Sequence, residues 1–148
     1  MITINISEQA LEYKRKSYSI STAKNGIGEV VGSYCTPTGK FKIAEKIGAN
    51  LELGSVLVDR ESTGEIYNTD LAKQYPGRDW ILTRILWLDG VEVHNQNTKN
   101  RYIYIHGSPD EMPMGMPESK GCIRMQNYDV IELFEIIHTG EDVIIIKS

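Results

Sequence analysis

The chain has 148 residues and a mass of 16.7 kDa, one domain's worth, enough to bury a core without metals or disulfides. Hydrophobic residues at 41% and charged residues at 24% exclude a disordered, collagenous or coiled-coil chain. Sixteen Lys and Arg against twenty Asp and Glu leave a net charge of −4, so the basic excess of a dedicated nucleic-acid binder is missing.

Ile2, Ile4 and Ile6 recur with period two and predict a half-buried strand, with Leu11 to Lys14 as its partner. No charged, apolar and small-residue series opens the chain as an export signal would. No apolar stretch approaches the roughly 20 residues that cross a bilayer. A cytoplasmic location is therefore expected, with the periplasm as the alternative if a leader has been removed; no membrane partner is expected.

Ser17 to Thr22 reads as the next strand, ended by the turn Lys24-Asn25-Gly26. A second turn, Thr36-Pro37-Thr38-Gly39, precedes an alternating segment from Lys40 to Lys46. Val56 to Val58 predicts a short strand, and the polar stretch from Ser62 to Gly77 a surface excursion. Trp80 to Leu88 is the most apolar segment and predicts a buried strand closed by an Asp89-Gly90 turn. Arg84 in its middle either faces a cleft and binds substrate or pairs with a core carboxylate, because an unpaired buried charge is costly. Arg101 to His106 predicts a strand with Tyr102, Tyr104 and His106 on one face and Ile103 and Ile105 on the other.

One helix is expected. Asn127 is its candidate N-cap, Asp129 lies in its first turn, and Val130, Leu133, Phe134 and Ile137 form one apolar stripe before Gly140. Asp142 to Lys147 closes the chain as a buried strand. No repeat or linker interrupts residues 1–148, which read as a single, mainly β domain with one helix late in the chain.

The chemistry concentrates between Ile105 and Met125. His106 ends a strand, a loop follows, and Cys122 comes sixteen positions later, so that the loop can fold back and join them. The two cysteines, Cys35 and Cys122, are too few for a disulfide framework or a cysteine-rich zinc site. A free thiol is mostly protonated at neutral pH; an imidazole beside it can take the proton or hold a thiolate–imidazolium pair. The second ring nitrogen then needs an acceptor to fix the tautomer, and the Gly107 carbonyl can supply one. Backbone N–H groups around Gly121 and Cys122 can stabilise an oxyanion, and Arg124 can grip a carboxylate. Cys35, His94, Asp110, Glu111 and His138 read as residues without a catalytic part. Met112, Met114 and Met116 suggest a flexible lid over the site.

The segments His106-Gly107 and Ser119-Lys120-Gly121-Cys122-Ile123-Arg124 resemble the catalytic signature of the L,D-transpeptidase (YkuD-like) family. That signature is a strand-end His-Gly or His-Ser followed by Ser/Thr-His-Gly-Cys and often Ile/Val-Arg. Thr36-Pro37-Thr38-Gly39-Lys40-Phe41-Lys42-Ile43 is similar to the family's Thr-Pro-x-Gly-x-Phe-x-Ile stretch. The resemblance covers nearly the whole chain and implies a β-sandwich with a cysteine acyl-transfer site.

By motif, Cys122 is then the nucleophile, His106 the base and Gly107 its orienting carbonyl. Backbone amides of Lys120, Gly121 and Cys122 form the oxyanion hole, while Arg124, Ser119, Lys120, Tyr104 and Arg84 are substrate-binding candidates. The family attacks the bond between a diamino acid, usually meso-diaminopimelate, and the terminal D-Ala of a murein tetrapeptide. No metal or organic cofactor is implied, and a carbapenem is expected to acylate Cys122. Hydrolysis (an L,D-carboxypeptidase serving peptidoglycan recycling) is expected from the cytoplasmic reading. The alternatives are true L,D-transpeptidation, cross-linking stems or exchanging D-amino acids, and an inactive murein-peptide binder. Lys120 departs from the family, which places a second His there.

Overall fold

Residues 1–148 are described by a computed structural model. Ten strands carry the chain: β1 (Ile2–Asn5), β2 (Ala10–Tyr13), β3 (Lys16–Ser21), β4 (Gly39–Ile47), β5 (Ser55–Val58), β6 (Glu61–Ile66), β7 (Ile81–Gly90), β8 (Tyr104–Ser108), β9 (Ile123–Gln126) and β10 (Asp142–Ile146). Helix α1 (Thr69–Gln74) lies between β6 and β7, and α2 (Asn127–Ile136) between β9 and β10. No helix is long and apolar enough to cross a membrane.

All ten strands belong to one sheet, in the order β4-β10-β1-β2-β3-β9-β8-β7-β5-β6. A further pairing of β4 with β7 closes eight of them into a ring, with β5 and β6 appended to β7. The expected sandwich is thus a continuous sheet curled onto itself. Period-two patterning drives the curl: Ile2 and Ile4, Leu11 and Tyr13, Phe41 and Ile43, Val143 and Ile145 all point into one shared core. The apolar stripe of α2 enters the same core with Val130, Leu133 and Phe134.

Two pairings are parallel, β1 with β10 and β8 with β9. Parallel neighbours need a crossover of a dozen or more residues. The segment 109–122 is that crossover, which explains the long interval between His106 and Cys122.

Several expectations change. The stretch from Ser62 to Gly77 does stay on the surface, but it is regular: it holds most of β6 and the additional helix α1, capped by the Asn68 side chain on the Leu71 amide at 2.7 Å. Asp89 and Gly90 do not turn; they remain in β7 opposite Lys42 and Phe41, and a Cβ on Gly90 would strike Asn95. Asn127 is not the cap of α2. Gln126 holds that position, and Asn127 turns its amide inward. Gly140 lies beyond the helix end, at φ +90°, and donates to the Ile43 carbonyl at 2.7 Å. Tyr102 precedes β8 rather than sharing its face, in a left-handed conformation at φ +58°.

Because Ile4 is fully buried in the main core, Ile4→Ala should lower unfolding free energy by about 2–5 kcal/mol in urea denaturation. Val30→Ala, at a position 71% exposed, should stay within about 0.5 kcal/mol of the parent.

Candidate active site

The β8–β9 ladder sets the site. Ile105 pairs with Ile123 and His106 with Arg124. Side chains two residues apart share a strand face, so Tyr104 and His106 on β8 look the same way as Cys122 and Arg124. Ile103, Ile105 and Ile123 turn to the core instead.

His106 is 1% exposed. Its Nδ1 lies 2.6 Å from the Gly107 carbonyl, which can only accept, so Nδ1 carries the proton and Nε2 is left as the basic nitrogen. Opposite this dipeptide, β7 bulges: Leu82 faces Gly107, Ile85 faces His106, and Thr83 and Arg84 are extra. Thr83 sits at φ +76°, a rare conformation for a β-branched residue. It is held there by donating to Asn127 Oδ1 at 2.6 Å and accepting from the Gly54 amide at 3.0 Å. Asn127 in turn donates to Asp110 at 3.3 Å. A Cβ on Gly107 would strike Asn127 Oδ1 and the Leu82 carbonyl, so this position requires glycine.

Cys122 is half-buried, just ahead of β9. Its sulfur accepts from the Tyr104 amide at 3.3 Å, and its thiol donates to the Tyr102 carbonyl at 3.4 Å. No hydrogen bond joins it to His106 in this resting arrangement. Burial pushes the thiol up to about 12; the Tyr104 amide opposes this, the Asp79 carboxylate adds to it, and Arg124 and Arg101 counter it. Burial also lowers the His106 imidazole, with Asp79 and the Gly107 bond acting the other way and Arg124 adding to the fall. Removal from water thus disfavours the charged form of each group. A preformed thiolate–imidazolium pair is disfavoured in this arrangement.

The loop before Cys122 is laced to β3 and its extension. Ser119 N donates to Thr22 O at 2.9 Å, Gly115 N to Ile20 O at 2.8 Å, and Ser21 Oγ to Met116 O at 2.7 Å. The methionine loop is therefore tied down rather than free, and none of its methionines lines the cleft: Met112 packs beside Val56, Trp80 and Leu82, with its sulfur 3.8 Å from Arg124, and Met116 is exposed. Glu111 accepts from Tyr67 at 2.8 Å. Ser119 is buried, and its hydroxyl donates to the Cys122 carbonyl at 2.6 Å while accepting from the Gly121 amide at 3.2 Å. It shapes the turn and does not face a ligand. The Gly121 amide is thereby committed, and its carbonyl accepts from Thr36 at 2.9 Å. The Lys120 and Cys122 amides take no part in the loop's hydrogen bonds.

The thiol opens on a cleft of about 490 Å³, to which Tyr104 and Lys120 also contribute. Arg84 does not line it. Its guanidinium is buried on the far side of β7, donating to the Leu51 and Thr83 carbonyls at 2.9 and 2.7 Å and lying 5.3 Å from the Phe134 ring. Those carbonyls and that ring replace the carboxylate expected from the sequence. Its Nε has no partner, and burial lowers its pKa. Arg124 lies under the crossover, 3.4 Å from Asp79. Arg60, Asp79 and Arg101 line the cleft and were not anticipated. Cys35 stays apart, its thiol donating to the Asn25 carbonyl at 3.6 Å. His94 is tied to Thr38 O at 2.9 Å, and His138 is exposed beyond α2. No three His, Cys, Asp or Glu side chains are placed to hold a metal.

A closed β-sheet thus places a tautomer-locked histidine on β8 and a cysteine just ahead of its parallel neighbour β9. The family model of the YkuD L,D-transpeptidase catalytic domain matches residues 1–146, and the chain belongs to that family. A curated relative from Bacillus subtilis (strain 168), provisionally named L,D-transpeptidase YkuD, is 51% identical over 41 residues, which is 28% of this chain and 25% of that protein. An L,D-transpeptidase structure from Mycobacterium smegmatis superposes with a TM-score of 0.60 at 16% identity, covering 98% of this chain and 57% of that one. L,D-transpeptidase 3 from Mycobacterium tuberculosis, solved with a faropenem-derived adduct, gives 0.58 at 14% identity, over 99% and 59%. The chain thus spans less than two thirds of the length of these relatives, and the solved structures share its fold.

Alkylation of Cys122 by iodoacetamide, followed by mass spectrometry, should climb steadily with pH beyond 9 without levelling near 7. Asp79→Asn removes a charge that disfavours the thiolate, so alkylation at pH 8 should become faster. Gly107→Ala should lower the melting temperature and slow any Cys122-dependent reaction, since the added methyl displaces the β8–β7 contact.

Proposed function

We propose that the domain is a cysteine acyl-transfer enzyme acting on murein tetrapeptides. It would open the L,D bond between the diamino acid and the terminal D-Ala. The observation that carries this reading is that His106 on β8 and Cys122, just ahead of the parallel neighbour β9, share one face, with Nε2 left free by the Gly107 carbonyl.

On substrate binding the thiol leaves the Tyr102 carbonyl and passes its proton to His106 Nε2 as sulfur attacks the scissile carbonyl carbon. The amides of Lys120 and Cys122 receive the oxyanion. Collapse breaks the C–N bond; the D-Ala nitrogen takes the proton from His106 and leaves. Water then attacks the thioester, with His106 again as base, releasing tripeptide and the free thiol. Lys120 does not obstruct this route, because its position is asked for a backbone amide rather than an imidazole.

Hydrolysis needs only that water reach the thioester, and no methionine lines the cleft onto which Cys122 opens. A second reading, amine transfer, has one observation in its favour. A groove of about 270 Å³ beside Val31 and Tyr34 shares Tyr102 and Lys120 with the cleft, leaving room for an acceptor chain. The inactive-binder reading predicts no turnover at all.

Incubated with a disaccharide tetrapeptide, the protein should yield tripeptide plus D-Ala by mass spectrometry. Cys122→Ala should abolish this, and His106→Ala should reduce it by about 10²-fold or more. A cross-linked dimer or exchanged D-amino acid in place of tripeptide would establish transfer. Tight binding without turnover would leave only the binder.

A further inference from the structure

Four cationic side chains line the cleft beside Cys122, and their partners separate them. Arg78 is ion-paired with Glu65 at 3.0 Å and lies 4.1 Å from the Tyr75 ring centre. Arg101 donates to the Gly28 and Cys35 carbonyls at 3.1 and 2.8 Å and braces the chain there. Lys120 is exposed at the mouth, with no hydrogen bond to fix it. Arg60 differs from all three.

Arg60 occupies the two-residue turn between β5 and β6, where Asp59 and Arg60 take φ of +49° and +65°. Asn-Gly adopts such a turn far more readily, so the sequence places a long cation where the backbone disfavours one. Its guanidinium lies 4.8 Å from the Trp87 ring centre and 5.2 Å from that of Tyr102. One N–H donates to Tyr104 Oη at 3.2 Å. No carboxylate approaches within ion-pair distance. The group is therefore pinned on aromatic faces with most of its five donors unused. Tyr104 also connects it to the reaction centre: its hydroxyl accepts from Arg60 while its backbone N–H donates to Cys122 Sγ at 3.3 Å.

We infer that Arg60 is a specificity-determining residue that binds an uncleaved carboxylate of the donor stem peptide, holding that peptide along the cleft with its scissile bond at Cys122. This rests on the murein-peptide reading above. A planar guanidinium held at fixed orientation suits a planar carboxylate, which it can meet with two parallel hydrogen bonds. The aromatic pair behind it restricts the guanidinium's motion before any ligand arrives, so less freedom is lost on binding.

Calorimetric titration of a Cys122→Ser protein tests this without turnover. Its ligands are a diaminopimelate tetrapeptide and versions amidated at one uncleaved stem carboxylate at a time. Adding Arg60→Gln should weaken binding of the free-acid peptide by about tenfold or more. For one amidated peptide the same change should have no effect. Arg60→Lys, which keeps the charge and the hairpin, should fall between. Equal weakening for every peptide, or none, overturns the role of Arg60 while leaving the murein-peptide reading in place. No binding of any peptide to Cys122→Ser, with no turnover by the parent, removes that reading and the inference together.

Discussion

Ile105 pairs with Ile123 and His106 with Arg124 across two parallel strands, and the cleft is arranged around that ladder. Its register alone decides that the imidazole and the thiol share a face, because a slip of one residue would send one of them into the core. Parallel pairing imposes the long crossover, and the crossover must then be secured. It is secured on β3 and on the residues that follow it, through Ile20, Ser21 and Thr22, which leaves Gly121 and Cys122 in a turn stiffened by Ser119. The bulge in β7 and the inward amide of Asn127 complete the fit on the other side of β8.

Charge and burial compete at the pair, and burial wins. Arg124 and Arg101 favour the thiolate, yet the thiol is pushed up to about 12. The imidazole is lowered by the same removal from water. Each charged form alone is disfavoured, whereas transfer of one proton between them creates two opposite charges that stabilise one another. Asp79 tunes the balance in both directions, favouring imidazolium and disfavouring thiolate.

Much of the fold was legible because most strands announce themselves by alternation. Ile2 and Ile4, Phe41 and Ile43, and Ile103 and Ile105 all face the core as their spacing requires. The β5–β6 hairpin was not legible, since its turn is Asp59-Arg60 rather than Asn-Gly and β6 is almost wholly polar. Without that hairpin the sequence has no means of bringing Arg60 to the cleft. Helix α1 was missed although Asn68-Thr69-Asp70 is the same kind of capping signal that was read at Asn127. The converse error occurred at Asn127, where a buried tertiary partner, Thr83, outweighed the local preference for a cap. Arg84 shows the same limit: sequence says that a buried guanidinium needs acceptors, and only the fold shows that carbonyls supply them.

Closure of the sheet through β4 and β7 has a consequence for how copies of the molecule meet. A ring of eight strands has no ends to offer, so β6 is the terminal strand at which a further chain could add. That strand reads Glu-Ser-Thr-Gly-Glu-Ile and is exposed along nearly all its length, with Gly64 bending it at φ +82°. Two carboxylates and a kink make a poor template for a neighbour's backbone. The topology that brings cysteine and histidine together therefore also leaves one short, charged and kinked edge for a neighbour to meet.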